Sequence, residues 1–286
     1  MNALTVIVPY RHGTRPDRSR YPQNTLFVDD EGKGKKHALL RGIRSVSTEW
    51  VWLTDDDVQL PDTHLLPQLP QEAYMVILPL RMSKNTDSLL ERLQHAEYKA
   101  LQALTLWTAD RGHAVMCSGA NLMVRRQTWL ACCEDLHTDM PSGDDMFLLE
   151  SMKRHGKTIV TLHGEAVTAC IQPSATLQQL LQQRMRWAGK AQRYTDPDIR
   201  LCGAVVLCAN LLQLLCPLLL LIKFPFDLWF IRRFENDYPK NDDGTKTTND
   251  RTSIGTALLL ELLYPFYLIA CLAGGLWQSR NTSARF

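Results

Sequence analysis

Short apolar runs, each ended by polar or turn-forming residues, alternate with amphipathic stretches through the first two-thirds of the chain. Runs of this length, rich in β-branched and aromatic residues, predict strands. They fall at residues 4–8 (LTVIV), 25–28 (TLFV), 50–53 (WVWL), 74–78 (YMVIL) and 159–162 (IVTL), and a sixth short strand follows a small-residue turn within 116–125. Apolar runs without alternation are typical of a largely parallel sheet that is covered on both faces.

Helical patterns separate these strands. Apolar residues recur every three or four positions over 88–107, and helices are also predicted from residue 37 onward and over 144–155, the last capped by Ser142 or Asp144. Strands that alternate with helices predict an α/β domain with a mixed, mostly parallel sheet. We place this domain at residues 1–196.

Residues 197–286 are expected to form a membrane region. Residues 201–222 contain no charged side chain, and residues 252–277 contain only Glu261, with Pro265 as a possible kink. About 20 apolar residues span a bilayer as a helix, so we expect spans at about 201–222 and 254–277. An amphipathic helix over 175–191, with a basic face, leads into the first run and is expected to lie at the membrane surface.

The path of the chain after the first apolar run has three interpretations. The linker 223–251 carries six basic and six acidic residues. If both runs cross the membrane, this linker lies outside the cytosol, and its basic residues count against that placement. Alternatively, residues 201–231 dip into the membrane and return, with Pro217 at the bend. A third interpretation is that both apolar runs are core helices of a soluble protein.

Composition narrows the classes of function. The formal net charge of +2 gives no argument for a nucleic-acid partner. The N-terminus has no basic segment before its short apolar run, so it is no secretory signal and the N-terminal domain is expected in the cytosol, attached to the cell membrane. The eight cysteines show neither CxxC pairing nor zinc spacing, which predicts no disulfide and no zinc site.

Three consecutive carboxylates, Asp55, Asp56 and Asp57, follow the third predicted strand. If the strand continues, Asp55 and Asp57 project to one side and Asp56 to the other. Two converging carboxylates suit Mg²⁺ or Mn²⁺, shared with substrate phosphates. The equal alternative is an acidic turn, since Asp is common in turns.

Other motifs follow in a characteristic order. Pro9 and Arg11 end the first strand, GKKHAL at 34–39 opens a helix, SGDD occupies 142–145, and QRMRW occupies 183–187 beside the first apolar run. Each has a plainer interpretation: a surface arginine, a solvated basic turn, a helix cap and an interfacial anchor. In this order, however, the chain resembles glycosyltransferase family 2, which has the GT-A fold. It is most similar to the membrane-attached branch that includes cellulose, chitin and hyaluronan synthases and ceramide glucosyltransferase.

The resemblance implies roles for individual residues. Asp55 and Asp57 would bracket Mg²⁺ or Mn²⁺ on the donor diphosphate, and Lys35 would lie near the nucleotide. Asp145 would be the general base, with Asp144 in the place of the usual Glu. The remaining candidates are Pro9 and Arg11 for the donor, and Gln183, Arg186 and Trp187 for the diphosphate or the acceptor.

The chain departs from the family pattern before GKKHAL, where the segment that normally ends in a base-binding Asp pair is short. Asp29 and Asp30 are either that pair or part of the next strand. The resemblance implies an inverting, metal-dependent transfer from a nucleotide-sugar, with UDP favoured, onto a lipid, lipid-linked or glycan hydroxyl in a single step. The rival hypotheses are a non-catalytic scaffold with a degenerate nucleotide pocket and a metal-dependent phosphoesterase.

Overall fold

The computed structural model describes residues 4–61, 68–137, 140, 143–238 and 251–283, and the side chains of these residues up to 278. The chain forms two compact units. The first contains Met1–Arg81 and Thr105–Gln172, and the second contains Met82–Leu104 and Pro173–Phe286.

A six-stranded mixed sheet forms the centre of the first unit. The strands are β1 Leu4–Tyr10, β2 Thr25–Asp29, β3 Trp50–Leu53, β4 Met75–Ile77, β6 Leu122–Arg125 and β7 Ile159–Thr161, in the spatial order β2-β1-β3-β6-β4-β7. β1 pairs in parallel with both β2 and β3, and β4 with β7, whereas β6 is antiparallel to β3 and β4. The five predicted apolar strands, the strand after the small-residue turn and the mixed, mostly parallel sheet are therefore confirmed.

The central strands are buried on both faces, as their continuous apolar runs predict. All four residues of β3 are buried, and Trp50 and Trp52 pack with Val6, Val8 and Met123 in one core cluster. Such a sheet needs helices on its faces. In this unit they are α1 Lys35–Ser45, α3 Arg126–Cys132 and α4 Asp144–Arg154, while β5 Leu80–Met82 and β8 Ala169–Ile171 form a separate small sheet.

Helices make up the second unit. α2 Leu89–Ala109 starts here and its last residues belong to the first unit; the others are α5 Leu177–Ala188, α6 Pro197–Leu215, α7 Leu220–Asp237 and α8 Ile254–Ser283. α5 begins at a capping box in which Thr176 and Gln179 satisfy each other's backbone N–H groups. It is shorter than the predicted 175–191 helix at both ends.

Two helices, Pro197–Leu215 and Ile254–Gln278, are long and apolar enough to cross a membrane. The predicted span over 201–222 is not one continuous helix, because α6 ends at Leu215 and Pro217 starts a short 3₁₀ turn before α7. Proline lacks the N–H that would continue the α-helical ladder. α8, by contrast, runs without interruption through Pro265.

Two local expectations are corrected. Asp55, Asp56 and Asp57 do not continue β3, which ends at Leu53; they form a turn in which Val58 N–H donates to Asp55 O at 3.3 Å. The alternation argument for their side-chain directions therefore fails. Asp144 is the first residue of α4 rather than its cap, the N-cap is Gly143 with φ of 89°, and Ser142 lies outside the described residues.

Candidate active site

The carboxyl ends of β1 and β3 meet at one edge of the sheet, since the two strands are parallel with Ile7 opposite Leu53. The acidic turn follows β3 at this edge. Just before it, the buried Thr54 Oγ1 donates to Ala120 O at 2.9 Å, which ties the acidic turn to the Ser118–Gly119–Ala120 turn. Crevices at the carboxyl ends of strands are where open α/β sheets bind ligands.

Lys35, the first residue of α1, joins acidic side chains from two other segments. Its Nζ lies 2.5 Å from Asp55 Oδ1 and 3.6 Å from Asp144 Oδ2. Desolvation by itself would lower the pKa of Lys35, but the carboxylates of Asp144, Asp55 and Asp145 outweigh it and raise that pKa. Lys35 is therefore an ammonium ion that offsets the negative charge of the cluster.

Asp145 is held in a fixed orientation at the start of α4. Its Oδ2 accepts from Gly119 N–H at 3.1 Å, and its Oδ1 accepts from Met146 N–H at 2.8 Å. Gly119 leaves room for both side chains, because a Cβ there would lie 3.2 Å from Lys35 Nζ and 3.4 Å from Asp144 Oδ2. The small-residue turn and α4 together position the Asp144–Asp145 pair.

The remaining acidic turn is crowded with negative charge. Desolvation, and then the neighbouring Asp55 carboxylate, raise the pKa values of both Asp56 and Asp57. Tyr21 OH donates to Asp56 O at 2.9 Å, which helps to fix the backbone of the turn. Burial, together with the carboxylates of the turn, raises the pKa of Tyr21 to about 12, so Tyr21 remains a neutral donor.

The acidic turn offers two carboxylates, Asp55 and Asp57, to a divalent cation. Among the described residues no group of three or more His, Cys, Asp and Glu side chains is arranged to hold a metal ion. Mg²⁺ commonly uses one or two carboxylates and completes its shell with substrate phosphates and water. Asp55, which contacts Lys35, and Asp57 fit that donor set.

The other donor candidates lie at the end of β1. Pro9 is opposite Val28 in the β1–β2 pair, and Arg11 follows the strand as an exposed residue. Asp29 is the last residue of β2, and Asp29 and Asp30 both bind His12: Asp29 through the ring at 3.0 Å, Asp30 through the backbone N–H at 3.0 Å. Asp29 and Asp30 therefore fix the loop after β1 through their hydrogen bonds with His12.

Gln183, Arg186 and Trp187 lie on α5 in the second unit. There the buried arginine of the motif is Arg184: its Nη2 lies 2.8 Å from Glu97 Oε2, its Nη1 donates to Gln183 Oε1 at 2.6 Å, and its guanidinium lies 4.2 Å from the Trp187 ring centroid. Arg186 is exposed, and Trp187 is 42 % exposed. Arg184 thus contacts both Gln183 and Trp187. The sequence did not identify this arginine as a site residue.

Sequence reasoning missed several other residues that shape the site. The sequence marks Gly119 only as part of a small-residue turn and gives no signal for Tyr21. Asn121 is fully buried and bonds Trp52 Nε1, Pro79 O and Val167 O at 2.7–2.9 Å. A polar residue directly before a buried strand was the available signal for Asn121, but nothing local identified its three partners.

Comparison with known proteins agrees with this arrangement. A family model described as "Glycosyltransferase like family 2" matches residues 5–190. No curated protein matches the chain.

Among solved structures, the chain is similar to the mannosyltransferase PcManGT from Pyrobaculum calidifontis, solved with GDP-Man and Mn²⁺. The identity is 18 %, the match covers 96 % of this chain and 87 % of that one, and the TM-score is 0.54. Glucosyl-3-phosphoglycerate synthase from Mycobacterium tuberculosis matches at 14 % identity over 65 % of this chain and 78 % of that one, with a TM-score of 0.38. The first likeness confirms the GT-A fold, and the match of the family model over most of the chain identifies this protein as a glycosyltransferase of family 2.

Proposed function

We propose that this enzyme is a membrane-attached, metal-dependent, inverting glycosyltransferase that moves one sugar from a nucleotide-sugar to an acceptor hydroxyl. The observation that carries the proposal is the convergence of Lys35, Asp55, Asp144 and Asp145 around the Gly119 turn. These residues come from three segments far apart in the chain. If Asp55 belonged only to a surface turn, or Asp144 only to the start of a helix, neither would need contacts with the other two segments.

The acidic turn supplies the metal ligands. Asp55 and Asp57 would hold Mg²⁺ or Mn²⁺, which acts as a Lewis acid on the departing diphosphate. PcManGT is described with GDP-Man and Mn²⁺, which supports a divalent ion and a nucleotide-sugar here. The donor base is UDP in the proposal, and GDP is the alternative to test beside it.

Positive charge at the same edge would bind the donor. Lys35 Nζ is already directed toward the cluster, and α1 opens with its N-terminus there, where the helix dipole favours anions. Arg11, which is exposed after β1, would reach the diphosphate as a second cation. Pro9 would shape the nucleoside side of the cleft.

Asp145 would act as the general base. Its carboxylate removes the proton of the acceptor hydroxyl while that oxygen forms a bond to the anomeric carbon from the side opposite the diphosphate. The bond from this carbon to the diphosphate oxygen breaks, so the configuration inverts. Because Gly119 N–H and Met146 N–H fix the two carboxylate oxygens, the base is oriented before the acceptor arrives.

The acceptor is proposed to be a lipid or lipid-linked hydroxyl, with residues 1–196 facing the cytosol at the cell membrane. Two helices long and apolar enough to enter a bilayer support membrane attachment. They are few for a channel that exports a polymer, which favours a single transfer over processive synthesis. Gln183, Arg186 and Trp187 on α5 would bind the diphosphate or the acceptor sugar.

The test is a panel of radiolabelled UDP- and GDP-sugars on isolated membranes with Mn²⁺ or Mg²⁺, followed by counting of the lipid fraction. Asp145→Asn is expected to abolish transfer while donor affinity stays within about threefold, because the amide keeps the shape but cannot take a proton. Asp17→Asn is the matched control, since Asp17 is exposed and only caps a short turn at Ser19. Transfer by Asp145→Asn at the wild-type rate would refute the assignment of the base.

The same assays separate the rival hypotheses. A scaffold with a degenerate pocket would bind neither UDP nor GDP more tightly when Mn²⁺ is added. A phosphoesterase would release phosphate without moving sugar to any acceptor.

A further inference from the structure

The exposed large apolar side chains among the described residues all lie in the second unit. The most exposed surround the break between α6 and α7, where Leu215, Leu218, Leu221 and Ile222 are 82 %, 73 %, 74 % and 73 % exposed. Phe266 and Trp277 extend the surface along α8, at 62 % and 67 %. Large apolar side chains that are exposed in such number mark contact with a membrane or a protein. The contacts within this unit indicate how it meets a bilayer.

α8 is attached near both of its ends to polar helices. Near its start, Ala257 packs in one cluster with Ala96 of α2 and Ile231 of α7. Near its end, Gly274 and Gly275 lie so close to α5 that a Cβ on Gly275 would stand 2.6 Å from Met185 O. These two attachments are about 26 Å apart along the helix, calculated from the rise per residue.

The helices that hold α8 cannot lie in hydrocarbon. α2 carries Glu91, Arg92 and Lys99, and α5 carries four glutamines and Arg186, and each charge at the centre of a bilayer costs about 2.5–3.5 kcal/mol. The Arg184–Glu97 ion pair, at 2.8 Å, also joins α5 to α2. If α8 crossed the bilayer, it would carry one of these polar helices into the hydrocarbon. It therefore lies along the membrane surface.

α6 and α7 both meet α8 at Glu261, one on each side of the turn that starts at Pro217. At the turn, Gln213 Nε2 donates to Glu261 O at 3.1 Å and Lys223 Nζ lies 2.5 Å from Glu261 Oε1, which attaches both helices to α8. At the far end of α7, Glu235 Oε1 lies 2.8 Å from Lys99 Nζ of α2 and accepts from Thr252 N–H at 2.7 Å. A crossing would separate Glu235 from Lys99 by the thickness of the bilayer.

We propose that the protein enters a single leaflet: α6 and α7 re-enter, α8 lies in the plane of the leaflet, and no helix crosses. This rests on the membrane attachment in the proposed function. The side that carries Lys99 also carries Tyr238, Arg251 and the end of α8. It follows that the described ends of the linker, which carry Arg232, Arg233 and Arg251, lie on one side of the membrane.

The topology test uses the full chain in sealed vesicles, with a tag on the N-terminus, a specific protease site inserted after Gly244, and a second tag after Phe286. Vesicles that expose the N-terminal tag are treated with proteases that cannot enter, and detergent shows full cleavage. Cleavage at all three positions before detergent is the expected result. Protection at Gly244 would overturn the proposal in favour of two crossings, and protection of the C-terminal tag in favour of one.

The apolar surface is tested by vesicle sedimentation. Leu218→Glu with Leu221→Glu is expected to reduce binding to phosphatidylcholine vesicles at least tenfold, because both side chains would leave the hydrocarbon. Asn236→Glu is the control, since Asn236 is already polar and exposed. Unchanged binding of the double variant would overturn the proposed surface. Sugar transfer, assayed separately in detergent, shows whether the catalytic proposal stands in either case.

A second, independent observation concerns a cavity of about 210 Å³ between the starts of α2 and α8. Its charged lining contains Lys84, Arg92, Lys99 and Arg251 against Asp87 and Glu91, with His95 beside them. Glu91 is engaged by the backbone N–H groups of Asn85 and Thr86. Asp87 pairs with Lys84, and in the described part of the chain neither Arg92 nor Arg251 forms an ion pair with either lining carboxylate.

The cavity borders the apolar surface, because Leu89 and Ile254, the neighbours of its lining, are 48 % and 61 % exposed. We infer that it binds the phosphate of an anionic phospholipid headgroup, which would sit at this depth when α8 lies in the leaflet. Guanidinium pairs suit a phosphate diester, since each can donate two parallel hydrogen bonds.

Sedimentation with phosphatidylcholine vesicles, with and without phosphatidylglycerol, tests this site. Arg92→Gln with Arg251→Gln is expected to remove most of the gain from phosphatidylglycerol, whereas the charge-matched Arg193→Gln with Arg200→Gln retains it. Equal losses in the two double variants would show diffuse electrostatic attraction and overturn the site. Saturable binding of inorganic phosphate in solution, lost in Arg92→Gln with Arg251→Gln, would assign the cavity to a soluble phosphate and overturn the lipid.

Discussion

Gly119 N–H donates to the Asp145 carboxylate over 3.1 Å, although 26 residues separate the two in sequence. The same glycine leaves room for Lys35 Nζ, which would lie 3.2 Å from any Cβ placed there. One backbone position thus both orients the proposed base and admits the cation that offsets the acidic cluster.

Gly119→Ala is therefore expected to reduce kcat by about 10- to 100-fold, since small displacements of positioned groups have effects of that size. The methyl group would press on Lys35 and on the Asp144–Asp145 pair. The folded state should survive, because the nearest atom is the end of a flexible side chain. Steady-state kinetics and thermal unfolding of the same preparation check both statements, and an unchanged kcat would contradict the positioning role.

Lys35 and Lys36 are adjacent but have different tasks. Lys35→Met is expected to weaken donor binding by about 10- to 100-fold, because charge-assisted hydrogen bonds contribute about 1.5–3 kcal/mol. Isothermal titration with the donor and Mn²⁺ measures this loss.

Lys36→Met provides the matched control. Lys36 is buried, and its Nζ donates to Leu136 O at 2.5 Å and His137 O at 2.6 Å. This variant should keep its donor affinity but lower the free energy of unfolding by about 1–3 kcal/mol, because two carbonyls lose their donor. If both variants lost donor affinity equally, the distinction between the two lysines would be wrong.

Asn121 is expected to affect the site only through the stability of the fold. Asn121→Ala removes the partner of the Trp52 donor and of the Val167 carbonyl and one of the two donors to Pro79 O, at a total of about 3–5 kcal/mol. Asn24→Ala, which removes one exposed bond to Leu4 O, should change stability by less than about 1 kcal/mol. Chemical unfolding of both variants decides the matter, and equal midpoints would contradict the network.

The start of α2 should show a defined pH dependence. Desolvation opposes ionisation of Glu91, but the hydrogen bonds from Thr86 and Asn85 outweigh it and lower the pKa of Glu91 from its usual 4.5. A carboxyl with a lowered folded-state pKa stabilises the protein above the unfolded value and loses that contribution as the pH falls through the folded value.

Glu91→Gln should thus lower the free energy of unfolding at pH 7 by about 1–2 kcal/mol, and with it the unfolding temperature. The difference in free energy of unfolding between the variant and the wild type should shrink steadily as the pH falls below 4.5. Thermal unfolding over a pH series measures it, and a difference that stays constant down to the lowest pH would exclude the ionised form as the source.

Removal of divalent ions with a chelator is expected to abolish transfer, and added Mn²⁺ or Mg²⁺ should restore it. Asp57→Asn should raise the metal concentration needed for half-maximal activity at least tenfold, because one of two carboxylate ligands is lost. Asp110→Asn serves as an acidic control outside the turn. Full activity in the presence of chelator would refute the metal site.

Much of the architecture followed from local patterns. The apolar runs predicted the strands, the three- and four-residue spacing predicted α2, and the lack of charge identified the apolar helices. These signals are local because a strand or helix is defined by a period of a few residues. Family membership also followed from the order of short motifs along the chain.

Other features required the folded chain. The sequence could not distinguish a strand from a turn at Asp55–Asp57, nor could it select Arg184 over Arg186 as the buried arginine of α5. It left open whether the chain crosses after α6, whereas the contact of Glu235 with Lys99 supports a return. It could not tell which of two adjacent lysines meets the acidic cluster.

The sequence by itself determined which segments are strands and helices and which motifs they carry, since those depend on neighbours along the chain. Only the tertiary structure decided which side chains meet, because Lys35, Asp55, Gly119 and Asp145 are brought together by the pairing of β1 with β3 and the packing of α1 and α4. Direction and distance between remote side chains depend on that packing, and no local pattern encodes them.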